Sequence, residues 1–240
     1  MRPPPVDKSG DRVRDMFAQI AGKYDLMNHL LSLNIDRYWR RATVKHLQPL
    51  GSGPILDLCT GTGDLAFEFH KANPQLSIVG ADFCHEMLEV ARTKQRKRKV
   101  EAIDFVEASA MQLPFEDDRF HIVSVAFGIR NVEDTAQGLR EITRVCRPGG
   151  RVAILEFSNP TIWPLSSLYG FYFRSVLPRV GQMMARNDES AYAYLPSSVS
   201  QFPCGREFAA SMIAAGVEDI KIIPMTLGVA TLYLGTKQEA

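Results

Sequence analysis

A chain of 240 residues with 28 basic and 27 acidic side chains carries a net charge of only +1, so no global field marks it as a binder of nucleic acid or of acidic surfaces. Four dispersed cysteines (Cys59, Cys84, Cys146, Cys204), with no C-x-x-C and no H-E-x-x-H among five histidines, exclude a disulfide framework and give no expectation of a metal site. The longest apolar run, Ile122 to Ile129, is interrupted by Ser124 and Gly128 and falls short of the roughly eighteen residues a spanning helix needs, so a cytoplasmic protein is expected.

Residues 1–10, with Pro3-Pro4-Pro5, read as a loose tail ahead of a single domain covering 11–240. From Val13 to Leu31 apolar residues recur at three- and four-residue spacing, which predicts helix broken near Gly22, and a second helix opens at Asp36 and ends near Pro49. The stretch Ile55 to Ala66 then changes character. An apolar strand runs through Asp57 to Gly61-Thr62-Gly63, where a helical pattern takes over. Glycines there admit positive φ and close backbone approach, and the helix N-terminus that follows offers free N–H groups, so a ligand is expected at this turn. The G-x-G-x-x-A spacing also fits a dinucleotide. Asp57, however, would repel a pyrophosphate, whereas it suits a ligand with an ammonium and a sulfonium, which favours S-adenosylmethionine.

Strands at Leu76 to Ala81, Ile103 to Glu107, His121 to Ala126 and Arg151 to Phe157 alternate with helices, the last helix being stopped by Arg147-Pro148-Gly149-Gly150. This rhythm predicts an α/β fold with a mainly parallel sheet and ligands beyond the carboxyl ends of the strands. Residues 161–204, rich in aromatics and prolines, read as a helical cap insertion. Val217 to Met225 and Val229 to Gly235 close the seven-stranded sheet as an antiparallel hairpin. Asp82, nineteen residues after Gly63, stands where an acid accepts ribose hydroxyls, and Ser109-Ala110 follow the third strand, where backbone groups can read an adenine edge; a solvated loop acid and a plain turn are the bland alternatives.

Tyr24-Asp25-x-Met27-Asn28, Asp57-x-x-x-Gly61-Thr62-Gly63-Asp64, Phe127-Gly128-Ile129-Arg130-Asn131-Val132, Arg147-Pro148-Gly149-Gly150, Glu156-Phe157-Ser158 and Ala191-Tyr192-Ala193-Tyr194-Leu195-Pro196 together resemble the UbiE/MenG/COQ5 methyltransferases over roughly residues 12–237. The chain departs from that pattern at Asn34, Asp36, Ser109 and Ala126. The resemblance implies a class I, Rossmann-like S-adenosylmethionine-dependent methyltransferase that C-methylates a prenylated quinol, as in demethylmenaquinol to menaquinol, and releases S-adenosylhomocysteine. A benzoquinol of the ubiquinone pathway or another lipophilic phenol is the alternative acceptor. Donor contacts are implied at Thr62, Asp82, Ser109 and Ala110, with Asp57, Gly61 and Gly63 shaping the same loop.

The chemistry asks for a ring carbon made nucleophilic by loss of a hydroxyl proton. Arg130 is placed to stabilise the phenolate oxygen, Asn131 to orient a water or the hydroxyl, and Glu156 to take the proton; a structural ion pair and a sheet-end hydrogen bond are the competing readings. The run Arg92, Lys94, Arg96, Lys97, Arg98, Lys99 reads as a solvated helix end or as a membrane-surface contact, since the acceptor's tail lives in lipid. Nucleic acid is not expected as a partner. The oligomeric state, a homodimer included, stays open, and a nicotinamide oxidoreductase is the rival of another class.

Overall fold

The computed structural model describes residues 7–158, 160 and 189–239. Seven strands, β1 (Ile55–Leu58), β2 (Ile78–Asp82), β3 (Ile103–Glu107), β4 (Phe120–Ala126), β5 (Cys146–Phe157), β6 (Val217–Met225) and β7 (Ala230–Lys237), form one sheet in the order β3-β2-β1-β4-β5-β7-β6. β1 to β5 pair in parallel and β7 lies antiparallel between β5 and β6, so six strands run one way and one against them. This is the mainly parallel α/β sheet that the alternation of strands and helices predicts, closed by the expected antiparallel hairpin, and it agrees with the class I methyltransferase fold that the resemblance implies.

Three helices precede the sheet, α1 (Gly10–Ile20), α2 (Tyr24–Leu31) and α3 (Ile35–His46), and the expected break at Gly22 is a 3-10 turn over Ala21–Lys23. α4 (Asp64–Ala72), α5 (His85–Arg98) and α6 (Thr135–Val145) are the crossovers, followed by α7 (Glu189–Gln201) and α8 (Arg206–Ala214). Strand residues alternate between two cores, as a pleated sheet covered on both faces requires. Ile55, Ile78 and Ile122 pack with Trp39 of α3 and Leu65 and Phe69 of α4, while Leu56, Val79 and Val123 pack with Leu139 and Ile142 of α6 and Phe208 of α8.

One expectation is corrected. Arg147-Pro148-Gly149-Gly150 does not merely stop a helix: Cys146 already pairs with Phe120, and Arg151 pairs with Ile122, so the four residues between are a bulge within β5, with Gly149 at φ +66°. Of the expected tail, residues 7–10 are described: Asp7 pairs with Arg12 at 3.1 Å on the surface, and α1 begins at Gly10. The chain start crosses towards β4, where Gly10 N donates to Glu133 Oε2 at 3.3 Å. Of the expected cap, residues 161–188 lie outside the described residues; 189–201 are helical and continue to Phe202, whose ring stands 5.0 Å from that of Phe208.

The order reverses at β1, with β2 and β3 on one side and β4 on the other, and there the carboxyl ends of the strands part to leave a crevice. The chain leaves both strands in a left-handed turn, Cys59 at φ +53° and Phe127 at φ +61°, and the two ends nearly touch. A Cβ on Gly128 would lie 2.3 Å from Cys59 Cβ, so only glycine fits. Gly128→Ala is therefore expected to cost about 1–3 kcal/mol in urea unfolding, the scale of overpacking, and Cys59→Gly, which removes the opposing Cβ and suits the left-handed backbone, to recover most of it. A Gly128→Ala chain as stable as the parent contradicts the close approach.

Candidate active site

The crevice is a cleft with about 740 Å³ of space between its walls, its open mouth included. Gly61, Asp82, Ser109, Ala110 and Asn131, five of the residues singled out in the sequence, line it. Phe17 and Tyr24 roof it from the N-terminal helices, and Phe127 and Gly128 close it on the β4 side. Asp57, Thr62, Gly63, Arg130 and Glu156 are not among the lining residues and act from behind the wall.

Asp82 ends β2 and is almost fully buried. Its Oδ2 accepts from Gly61 N at 2.8 Å and its Oδ1 from Cys84 N at 3.0 Å, so one carboxylate ties the glycine loop to the start of α5. Burial pushes its pKa up to about 6 against the pull of those N–H groups. Each oxygen keeps a lone pair for a further donor, and Gly61, at φ +56°, leaves the cleft open: a Cβ there would meet nothing nearer than Tyr24 at 3.9 Å. The arrangement fits a polyol such as a ribose, with backbone close beside it.

Asp57 faces away from the cleft. Thr60 Oγ1 donates to its Oδ2 at 2.6 Å and Ser124 Oγ to its Oδ1 at 3.0 Å, so it locks the loop to β1 and β4, and burial raises its pKa to about 6. Within the protein the bonds of Asp57 are structural. Thr62 is likewise engaged by its neighbours. Its hydroxyl donates to Asp25 Oδ1 of α2, and Lys94 Nζ of α5 reaches Asp25 Oδ2 at 2.8 Å, Thr62 Oγ1 at 3.2 Å and Asp64 Oδ1. This network clamps α2 onto the glycine loop. Lys94 therefore leaves the solvated basic run, and Asp25 and Lys94 are residues that sequence reasoning missed, although Asp25 stands beside Tyr24 in its motif. Gly63, at φ +83°, is needed for packing: a Cβ would come within 2.9 Å of Phe105.

A second ionic group sits behind the clamp. Arg40 pairs with Asp36, which also accepts from Ser32 Oγ at 2.7 Å and contacts His29 Nδ1 at 2.9 Å. His29, Asp36 and Asp64 bring potential ligand atoms within 4.8 Å of one another, the spacing of a cation site. Burial works against the charge on both acids, yet Arg40, joined at Asp64 by Lys94, holds both pKa values below the ordinary range. Two protein cations already occupy the role of a metal.

Arg130 and Glu156 form a buried pair. The guanidinium donates to Glu156 Oε1 at 2.7 Å and to Phe127 O, and lies 5.4 Å from the Phe157 ring centroid. Glu156 also accepts from Phe157 N at 2.8 Å and from Arg130 N at 3.4 Å, so three of its roughly four acceptor positions are taken within the protein. Among the described residues five buried side-chain polar atoms have no hydrogen-bond partner; His70 Nδ1 and His121 Nδ1 lie outside the cleft lining, and the other three are Arg130 Nε, Asn131 Oδ1 and the hydroxyl of Tyr194. Asn131 lines the cleft, and Tyr194 packs with Val13 and Met16 in a cluster that takes in Phe17 and Phe83, two lining side chains. Unmet polar atoms beside a cleft mark where a ligand's polar groups complete the bonding. Tyr24, half-buried and with its phenol pKa raised by desolvation, was legible only as part of a motif.

The model of the ubiE/COQ5 methyltransferase family matches residues 6–237. The ubiquinone/menaquinone biosynthesis C-methyltransferase UbiE of Geobacter sp. strain M21 is 45% identical over 234 residues, covering 97% of this chain and 99% of that protein. The demethylmenaquinone methyltransferase of Deinococcus radiodurans is 42% identical over 239 residues, covering 99% and 98%. Among solved structures, a Thermotoga maritima S-adenosylmethionine-dependent methyltransferase, titled a possible histamine N-methyltransferase, superposes with a TM-score of 0.67 at 18% identity, over 94% of this chain and 100% of its own. A Haemonchus contortus phosphoethanolamine N-methyltransferase in complex with S-adenosyl-L-methionine gives 0.61 at 16% identity, over 83% and 52%. At such identities these two speak to the fold.

Asp82 generates a prediction about pH. Its folded pKa, about 6, lies above the ordinary 3.8, so between these values the folded chain holds a proton that the unfolded chain releases. That contribution to stability grows as pH falls through 6 and is lost as pH rises. Going from pH 7 to pH 5 should stabilise the parent by about 1 kcal/mol more than an Asp82→Asn variant. Parallel pH profiles of urea unfolding for the two proteins contradict the assignment.

Proposed function

The chain belongs to the ubiE/COQ5 methyltransferase family, an S-adenosylmethionine-dependent C-methyltransferase of quinone biosynthesis, and on that premise we propose that its cleft methylates a ring carbon of a prenylated naphthoquinol, demethylmenaquinol to menaquinol. The observation that carries the reading is the pairing, in one cleft, of the Asp82–Gly61 cradle with an apolar and aromatic wall (Phe17, Tyr24, Met87, Met111, Phe127) and the unmet Oδ1 of Asn131. The first suits an adenosyl group and the second a flat ring bearing hydroxyls. The donor, S-adenosylmethionine, supplies a methyl group already activated on a sulfonium.

In this reading Asp82 accepts the ribose hydroxyls, Gly61 lets the backbone approach, and Ser109 and Ala110 border the adenine. Asn131 Oδ1 accepts from the quinol hydroxyl and turns the ring. Arg130, held by Glu156 and donating to Phe127 O, fixes the turn that carries Asn131, and the hydroxyl proton leaves to water. Arg130 and Glu156 are thus positioning residues. A benzoquinol acceptor is the second reading, favoured by the ubiquinone/menaquinone naming of the 45% identical relative; parallel turnover on both quinols separates the two.

Asn131 and Arg130 should part company experimentally. Asn131→Ala is expected to lower kcat on demethylmenaquinol by about 100-fold while donor Kd and unfolding stay near the parent's, the scale of losing one preorganised polar contact. Arg130→Ala is expected to cost about 3–5 kcal/mol of stability, because it leaves Glu156 buried without its counter-charge. Single-turnover methyl transfer at saturating donor, alongside urea unfolding, reads both. Parent-like turnover in Asn131→Ala removes this residue from the acceptor site, and a fully stable Arg130→Ala denies the buried pair.

A further inference from the structure

We propose that the corner between α2 and α3 seats the protein on an anionic lipid bilayer. α2 is apolar on both sides. Tyr24 and Met27 face inward, while Leu26 (59% exposed) and Leu30 (44%), one turn apart and so on one face, stand out into solvent. Leu33 (74%) follows at the corner and Tyr38 (60%) on α3, so four large apolar side chains are exposed within thirteen residues of chain. Such a cluster on a surface marks an interaction site.

The backbone adds a second observation. Leu33 sits at φ +53°, a left-handed position that folding alone would give to glycine or asparagine. The tip of the β6–β7 hairpin repeats the pattern: Leu227, 66% exposed, lies at φ +57°. Trp39 Nε1 of α3 donates to Thr226 Oγ1 at 2.8 Å, which brings this tip to the α3 side of the rim where the strands' carboxyl ends open into the cleft. Two leucines are thus held out on turns whose conformation disfavours them.

Charge names the occupant. Between residues 22 and 46 the exposed charged side chains are Lys23, Arg37, Arg41 and Lys45, all cationic, with Arg41 3.6 Å from Glu68. The two acids of this stretch are paired with cations, the half-buried Asp25 with Lys94 and the buried Asp36 with Arg40. Leucines and an aromatic among cations, with no exposed acid, complement an interface of acyl chains and anionic headgroups, and no described helix is long and apolar enough to cross a membrane. The run Arg96 to Lys99 is less well placed: it leads into the amino end of β3, and Arg98 is stacked 4.3 Å over Phe67. The need for seating rests on the prenylated-quinol reading, since the same α2 that presents Leu26 and Leu30 roofs the cleft with Tyr24.

The test is co-sedimentation of the full chain with vesicles of phosphatidylcholine containing increasing phosphatidylglycerol. Partitioning is expected to rise with phosphatidylglycerol and fall with salt. It should drop by about tenfold or more in Leu26→Ser/Leu30→Ser/Leu33→Ser and in Lys23→Gln/Arg37→Gln/Lys45→Gln, and stay unchanged in Arg96→Gln/Lys97→Gln/Lys99→Gln. All variants should keep the parent's melting temperature and its turnover on a short-tailed, water-soluble quinol. A parent chain that does not sediment with the vesicles, or a leucine variant that binds as the parent does, overturns the proposal. So does a parent dimer that the leucine substitutions dissociate without any vesicle binding, which makes the patch an interface between copies. Absence of turnover on the soluble quinol with vesicle binding intact strikes the functional reading alone.

Discussion

The cleft depends on one carboxylate. Asp82 arrives at the carboxyl end of β2 because the parallel register of β1 and β2 sets Leu58 opposite Ala81, and from there its two oxygens take the N–H groups of Gly61 and Cys84. That carboxylate joins the glycine loop to the first turn of α5 at the cleft, while Lys94 joins the same loop to α5 farther along the helix. The cost is visible in the raised pKa of Asp82: burial disfavours the charged form, and the N–H groups offset only part of it. A carboxylate kept ionised at that expense has further acceptor capacity to offer a ligand.

A ring of ionic contacts then fixes the roof to this floor. Thr62, Asp25, Lys94 and Asp64 join the glycine loop, α2, α5 and α4, while Arg40 and Asp36 brace α3 behind them. The N-terminal helices are consequently part of the site's wall rather than a cover for the sheet edge, and Phe17 and Tyr24 owe their positions to them. The loop is held from behind by Asp57, Thr60 and Ser124, so it is Cys59 and Gly61 that face the cleft. The division suits a site that must bind a polar nucleoside and an apolar ring side by side.

Much of this was legible in the sequence. Periodicity placed β3 and β6 residue for residue, and the spacing from Gly63 pointed to Asp82, which lines the cleft, because such signals are local and depend on few residues. What escaped depends on partners far apart in the chain. Nothing near Thr62 says that its hydroxyl turns to Asp25, 37 residues earlier, and nothing in a run of basic residues singles out Lys94 as the one drawn inward. Arg130 and Glu156 were recognised as a pair of interest, but only the adjacency of β4 and β5 makes them partners to each other, which moves the free polar contact to Asn131. The β5 bulge was hidden for the same reason, since its glycines also satisfy the rule for ending a helix.

The central claim is that this cleft delivers a methyl group to carbon and not to oxygen. The most direct measurement is incubation of the protein with reduced demethylmenaquinone and S-adenosylmethionine carrying a ¹³C-labelled methyl, followed by NMR of the extracted quinone. The account predicts a single labelled resonance in the aryl-methyl region. A labelled methoxy signal, or no label in the quinone from a protein that binds the donor, contradicts it.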